Sequence, residues 1–205
     1  MARIAILIVQ NHRVAHVALF HSVLGLRPVE LRAADLLRSA GHAVVTPDLY
    51  AGETASTIHD GFRLVNRTGW AVMRQRARRA MNDLPDDAVL AGFSMGAGVV
   101  DSLLPARPEA AGVLLLHGLA GIPATVRSGL PVQVHVADPD EFARPAKVAE
   151  FRRCAVESGV DATVFTYEGI GHFYTDADGP DYDERAATLT WQRALEFLDT
   201  LGGPT

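Results

Sequence analysis

Short continuous runs of apolar residues alternate along the chain with longer stretches in which apolar positions recur every three or four residues. The short runs are Arg3–Val9, Ala15–Phe20, Ala43–Thr46, Ala88–Phe93, Gly112–His117, Val132–Ala137 and Ala162–Tyr167, rich in Val, Leu and Ile. Runs of this length and composition suit strands buried on both faces. Helical periodicity occupies Pro28–Ser39, Phe62–Leu84, Met95–Leu104, Pro145–Glu157 and Glu184–Leu201, with Gly41 and Gly159 as stop signals behind two of them. Regular alternation of strand and helix predicts an open α/β architecture, a mostly parallel central sheet with helices on both faces. Such sheets gather their reactive groups at the carboxyl ends of the strands. With no internal repeat, low-complexity stretch or linker, residues 1–205 are expected to form a single domain.

One junction carries chemistry of its own. Gly92-Phe93-Ser94-Met95-Gly96 follows the run Ala88–Ala91 and precedes Val99 and Val100, which makes it strand, tight turn and helix with a serine at the apex. Side chains two residues either side of that serine would collide, and glycine removes them. The helix opening at Met95 would bring free N–H groups and a positive dipole end to the serine oxygen. Ser94 is therefore a candidate nucleophile. The alternative is a glycine-rich turn whose serine only caps the helix.

A serine nucleophile needs a base, a group to orient that base, and donors for the developing oxyanion. After Val132–Ala137 come Asp138, Asp140 and Glu141. Asp138 is held extended by Pro139 at the start of the turn, so Asp140, deeper in the loop, is preferred as the orienting acid. After Ala162–Tyr167 comes Glu168-Gly169-Ile170-Gly171-His172, in which two glycines let the loop bend back over the sheet and deliver an imidazole. His172 is the expected base, in the chain order Ser, Asp, His. Of the other histidines, His21 and His117 end strands, and His117 is the better placed to approach the cleft. The backbone N–H of Met95 and that of Val23, in the loop after the second strand, are the expected oxyanion donors. Ser22, Tyr50, His117, Phe142, Phe173 and Tyr174 flank strand ends and are pocket candidates. Arg63, Arg67, Arg74 and Arg78 share one helix face and are expected to be solvated, and Trp70 and Met73 to fill the core.

Composition narrows the setting. With 48% apolar and 21% charged residues and a net charge of −5, the 205-residue chain has the balance of a globular protein. That charge, with no dense basic patch, argues against a nucleic-acid partner. Cys154 is the single cysteine, so no intrachain disulfide can form, and its helical setting predicts a buried structural thiol. No apolar run is long enough to span a membrane or has the form of a leader. The expectations are a cytoplasmic location, no membrane partner, and a monomer or small homo-oligomer.

Taken in order, Phe20–Leu26, Gly41–Tyr50 with its Pro47-Asp48-Leu49-Tyr50, the elbow Gly92–Gly96, Asp140-Glu141-Phe142 and Gly171-His172-Phe173 resemble the dienelactone hydrolase family. The likeness runs from about residue 17 to about residue 198. It implies an α/β-hydrolase fold without a large lid, an ester- or lactone-cleaving triad of Ser94, Asp140 and His172, and neither metal nor cofactor. The chain departs from the family pattern in carrying Ser94 where cysteine is usual and Ser22 where a glutamate is usual. It also lacks an arginine after the histidine, the group expected for a carboxylate-bearing lactone. The expected activity is thus a serine esterase acting on a small ester or lactone. The alternatives are a non-catalytic small-ligand binding protein, or an acyltransferase or thioesterase built on the same triad.

Overall fold

Six strands, β1 (His16–Phe20), β2 (Ala43–Val45), β3 (Val89–Phe93), β4 (Val113–Leu116), β5 (Pro131–Asp138) and β6 (Asp161–Glu168), form one sheet in the order β2-β1-β3-β4-β5-β6. Every neighbouring pair is parallel. The computed structural model describes residues 14–202, so the expected strand at Arg3–Val9 lies outside the described residues. Parallel neighbours need long crossovers, and these carry α1 (Pro28–Ser39), α2 (Ile58–Thr68), α3 (Trp70–Met81), α4 (Met95–Leu103) and α5 (Pro145–Ser158), with α6 (Glu184–Leu201) closing the chain.

The strand side chains sort by alternation into two cores. Ala18, Phe20, Leu90, Val113 and Leu115 face the layer built by α2, α3, α4 and α5. Val17, Leu19, Ala91, Leu114 and Leu116 face α1 and α6 through Ala34, Leu37, Ala194 and Leu198. Burial on both faces is the reason these strands read as unbroken apolar runs rather than alternating ones.

Most elements fall within one or two residues of the expected bounds, and one helix does not. The stretch expected as a single helix over Phe62–Leu84 is two, and the first begins at Ile58. The break is Gly69, at φ 79° and ψ 138°, which ends α2 through its N–H on the Val65 carbonyl and also serves as the N-cap of α3. A positive φ at this point suits glycine. The break turns α3 so that Met73, Ala77 and Met81 reach the core. Among the described residues no helix is long and apolar enough to cross a membrane.

Among the buried histidines, three lie within a strand or directly after one. His21, directly after β1, takes the amide N–H of Leu49 on Nε2 at 3.0 Å, and its Nδ1 lies 2.7 Å from the Ser22 carbonyl. Those partners hold it as the neutral Nδ1–H tautomer. His135 in β5 bridges Tyr167 Oη at 2.8 Å and Gln133 Oε1 at 2.9 Å. His117 follows β4 and is 1% exposed. Burial lowers the pKa of His21 and pushes that of His117 well below its ordinary value. Burial, helped by the charge of Arg193, takes His135 down to about 3.

A histidine neutral in the folded chain but free to protonate when unfolded stabilises the fold fully above its unfolded pKa, near 6.5. That contribution is lost as pH falls below it, because the unfolded state then binds more protons. Stability measured by urea unfolding should therefore fall between pH 7 and pH 5, by about 1–2 kcal/mol for each such histidine. An unchanged midpoint over that interval would contradict the neutral burial of these rings.

Candidate active site

A single residue, Ser94, joins β3 to α4. Ser94 sits at φ 49° and ψ −107°, a backbone conformation that a non-glycine residue rarely adopts. It is held from three sides. The Ser94 N–H donates to the Leu116 carbonyl at 2.7 Å, and the Ala97 N–H donates to the Ser94 carbonyl at 2.9 Å. A Cβ on Gly96 would stand 2.5 Å from the Phe20 carbonyl oxygen, and one on Gly118 would stand 3.0 Å from the Ser94 carbonyl oxygen. The glycines thus let α4 start directly against the ends of β1 and β4, with Ser94 at the middle of the sheet's carboxyl edge.

Two loops bring the remaining groups. Ser94 Oγ lies 2.9 Å from His172 Nε2, and His172 Nδ1 lies 2.7 Å from Asp140 Oδ2. The other carboxylate oxygen, Oδ1, accepts the Phe142 N–H at 2.8 Å. Burial alone would raise the Asp140 pKa. The hydrogen bond and charge of His172, with the amides of Phe142 and Ala143, outweigh it and hold the carboxyl below its ordinary value. An ionised carboxylate only accepts, so Nδ1 carries the ring proton and Nε2 is free to accept the Ser94 hydroxyl. Asp138 takes no part in this chain. It ends β5 opposite Glu168, its carbonyl accepts the Gly169 N–H at 2.6 Å, and Glu141 is exposed.

The serine opens into a cleft of about 230 Å³. Val23, Met95, His117, Phe142 and Phe173 line it as expected, but Ser22, Tyr50 and Tyr174 do not. Ser22 lies behind the cleft, where its hydroxyl donates to the buried Glu30 at 2.8 Å and accepts the Leu24 N–H at 3.2 Å. Glu30 in turn pairs with Arg27, which reaches Asp176 at 3.0 Å and so ties α1 to the loop that carries His172. Tyr50 Oη stands 3.2 Å from the Val23 carbonyl and 3.1 Å from Met95 Sδ, touching both residues expected to supply oxyanion donors. Tyr174 is fully buried, hydrogen-bonded to Thr190 and set edge-on against His117. His117 meets the cleft with one edge while its Nε2 lies 2.7 Å from Thr175 Oγ1.

Sequence reasoning missed the opposite wall of the cleft. Ile58, Phe62 and Trp70 come from α2 and α3, and Gly98 and Leu119 complete that side. Trp70 was expected in the core with Met73. Only Met73 is there, fully buried, while Trp70, the first residue of α3, stands 40% exposed against the cleft. The exposure of Phe62 (47%) and Trp70 (40%) marks the cleft mouth. Arg63 and Arg67 are solvent-facing, paired with Asp60 and Glu53. Cys154, expected to be buried, is only half-buried.

A family model of the dienelactone hydrolase family matches residues 4–202. The chain belongs to that family. A candidate carboxymethylenebutenolidase of Aquifex aeolicus is 23% identical over 180 residues, 81% of this chain and 78% of the relative. Among solved structures, a dienelactone hydrolase-like promiscuous phosphotriesterase from metagenomic libraries superposes with a TM-score of 0.75 at 19% identity, covering 94% of this chain and 88% of that one. A hormone-sensitive lipase from a metagenome library gives 0.65 at 15% identity, over 94% and 80% of the two chains. At these identities the structural likeness establishes the α/β-hydrolase fold. Family and fold together make this dienelactone hydrolase family member an ester-hydrolysing α/β hydrolase.

Because Asp140, and among the described residues no other carboxylate, reaches the imidazole, Asp140→Asn should lower p-nitrophenyl ester turnover by about a hundredfold or more, through loss of the correct tautomer. Asp138→Asn should stay within a few-fold of wild type. Steady-state kinetics of the two variants side by side decide the assignment, and the reverse order would move it to Asp138.

Proposed function

We propose that this enzyme cleaves a small carboxylic ester or lactone through an acyl-enzyme on Ser94. The observation that carries the reading is the unbroken hydrogen-bond chain from Ser94 Oγ through His172 to Asp140, at 2.9 and 2.7 Å. In the first step Ser94 Oγ attacks the ester carbonyl carbon while His172 Nε2 takes the hydroxyl proton. Asp140 stabilises the imidazolium that forms and remains ionised. The tetrahedral oxyanion is held by the N–H groups of Val23 and Met95, which flank Ser94 in the cleft. Tyr50 supports this pairing by touching both residues. The C–O bond to the leaving group then breaks, and His172 returns its proton to the departing oxygen. Water, deprotonated by His172, attacks the acyl-enzyme and releases the acid, restoring Ser94.

The substitution of serine for the family's cysteine fits its surroundings. A hydroxyl has to be activated by a neighbouring base, and the base is within hydrogen-bond reach. The carboxylate nearest the early loop, Glu30, is engaged by Ser22, Arg27 and the Arg27 N–H. It is therefore bound up in supporting the loop that carries Val23.

A fluorophosphonate probe should label wild type covalently at Ser94, read by peptide mass, and leave Ser94→Ala unlabelled. His172→Ala should cost about a thousandfold in ester turnover with an unchanged circular dichroism spectrum. Equal absence of labelling and turnover in wild type and Ser94→Ala would favour a ligand-binding protein without catalysis.

A further inference from the structure

Within the reading of Ser94 as an acyl-enzyme nucleophile, we infer that the cleft selects uncharged esters with a short apolar acyl chain, and that Trp70, standing over Gly98, sets the length of chain admitted. Charge is the first part of the argument. Among the described residues lining the cleft none is Lys, Arg, Asp or Glu, and its polar side chains are Ser94, His117, His172 and the indole of Trp70. His117 is neutral, its pKa held far down by burial and by the neighbouring histidines. An anionic substrate would find no counter-charge there, and an unpaired charge in an apolar site is costly. The adjoining cavity, which shares Ile58 and Phe173 with the cleft, carries Asp176, Asp178 and Asp181. The cation among its described lining residues, Arg27, is already paired with Glu30 and Asp176. That edge repels a carboxylate rather than holding one.

Length is the second part. His172 must hand its proton to the leaving oxygen, so the alcohol departs on the side where Phe142 and Phe173 flank the imidazole, at ring separations of 4.8 and 4.5 Å. The acyl chain stays on Ser94 and takes the other direction, along the first turn of α4. Gly98 is four residues on, one helical turn or about 6 Å along the axis. The Trp70 ring closes the space there, with its Cη2 only 3.2 Å from where a Gly98 Cβ would be. The absence of a side chain at 98 leaves room for the chain, and the indole limits it. The cleft, at about 230 Å³, is below the ~300–1,000 Å³ of pockets that take drug-sized ligands. A short chain fits it and a fatty-acyl chain does not. The α2–Gly69–α3 break is what delivers Trp70 to this position.

The test uses p-nitrophenyl esters from acetate to decanoate on the 205-residue chain, with fluorophosphonate labelling of each variant as a check on Ser94. Each buried methylene is worth about fourfold in kcat/KM. Trp70→Ala should therefore raise the decanoate-to-acetate ratio of kcat/KM at least about tenfold, and Gly98→Val should lower the butyrate-to-acetate ratio. Trp70 lies at the cleft mouth and partly in solvent, so its truncation tests the idea even if Gly98→Val folds poorly. A monoester of glutaric acid should be cleaved at least about a hundredfold less well by wild type than the neutral pentanoate, as a buried unpaired carboxylate demands. If Ser94 labels normally but the Trp70→Ala ratio moves less than about threefold, or the charged and neutral esters are cleaved equally, this inference fails and the triad reading stands. If wild type neither labels nor turns over, both fail together.

Discussion

Everything at the carboxyl edge of this sheet depends on how closely α4 can start against the ends of β1 and β4. Two backbones meet there with no side chain between them, Gly96 on the Phe20 carbonyl and Gly118 on the Ser94 backbone. A methyl group at either point would push the helix away and carry Ser94 with it. The positive φ of Ser94 is tolerated because the Leu116 carbonyl and the first turn of α4 hold both of its flanks. Strain of this kind persists only where the surroundings over-determine it. The geometry of the elbow is thus a consequence of packing density at the centre of the sheet, and the Ser94 hydroxyl is the part left over at the cleft.

Around this point the electrostatics are arranged by burial. Asp140 stays ionised because amides and the imidazole supply more than burial removes, and that ionised acceptor determines which His172 nitrogen carries the proton. His117, a ring contact away from His172 at 6.0 Å, is kept neutral by its surroundings. It adds shape to the cleft without competing as a base. The same neutrality leaves the described lining of the cleft without fixed charge, and on the proposed reading substrate selection falls to its aromatic and aliphatic side chains. The proposed catalytic residues and the proposed selecting residues come from different places in the chain. The former sit on the loops after β3, β5 and β6, and the latter largely on α2, α3 and the first turn of α4.

How legible each part was follows from that division. The strand ends that carry Ser94, Asp140 and His172 are marked locally, by glycines that permit a sharp turn and by a proline that discriminates between two aspartates. Tyr50, Tyr174 and Ser22 also follow strand-end signals, yet they turn inward. Tyr50 lies against Val23, Tyr174 against Thr190, and Ser22 on Glu30. Proximity to a strand end says which edge of the sheet a residue occupies, and the direction of its side chain depends on partners far away in sequence. Trp70 and Met73 make the same point from the other side. Spaced as neighbours on α3, they differ in what packs on them, Trp70 at the helix's first residue facing the cleft and Met73, three residues on, the core.

The amino-acid sequence by itself determined the doubly covered parallel sheet, because continuous apolar runs and helical periodicity are properties of neighbouring residues. For the same reason it determined the elbow and the order of serine, acid and base along the chain. Only the tertiary structure decided that the long arginine-rich stretch is two helices, since one glycine's positive φ is favourable where packing on the sheet rewards the turn. It alone decided which aromatic rings line the cleft and which turn inward. Those outcomes rest on contacts between segments dozens of residues apart, and no local pattern encodes the distance between them.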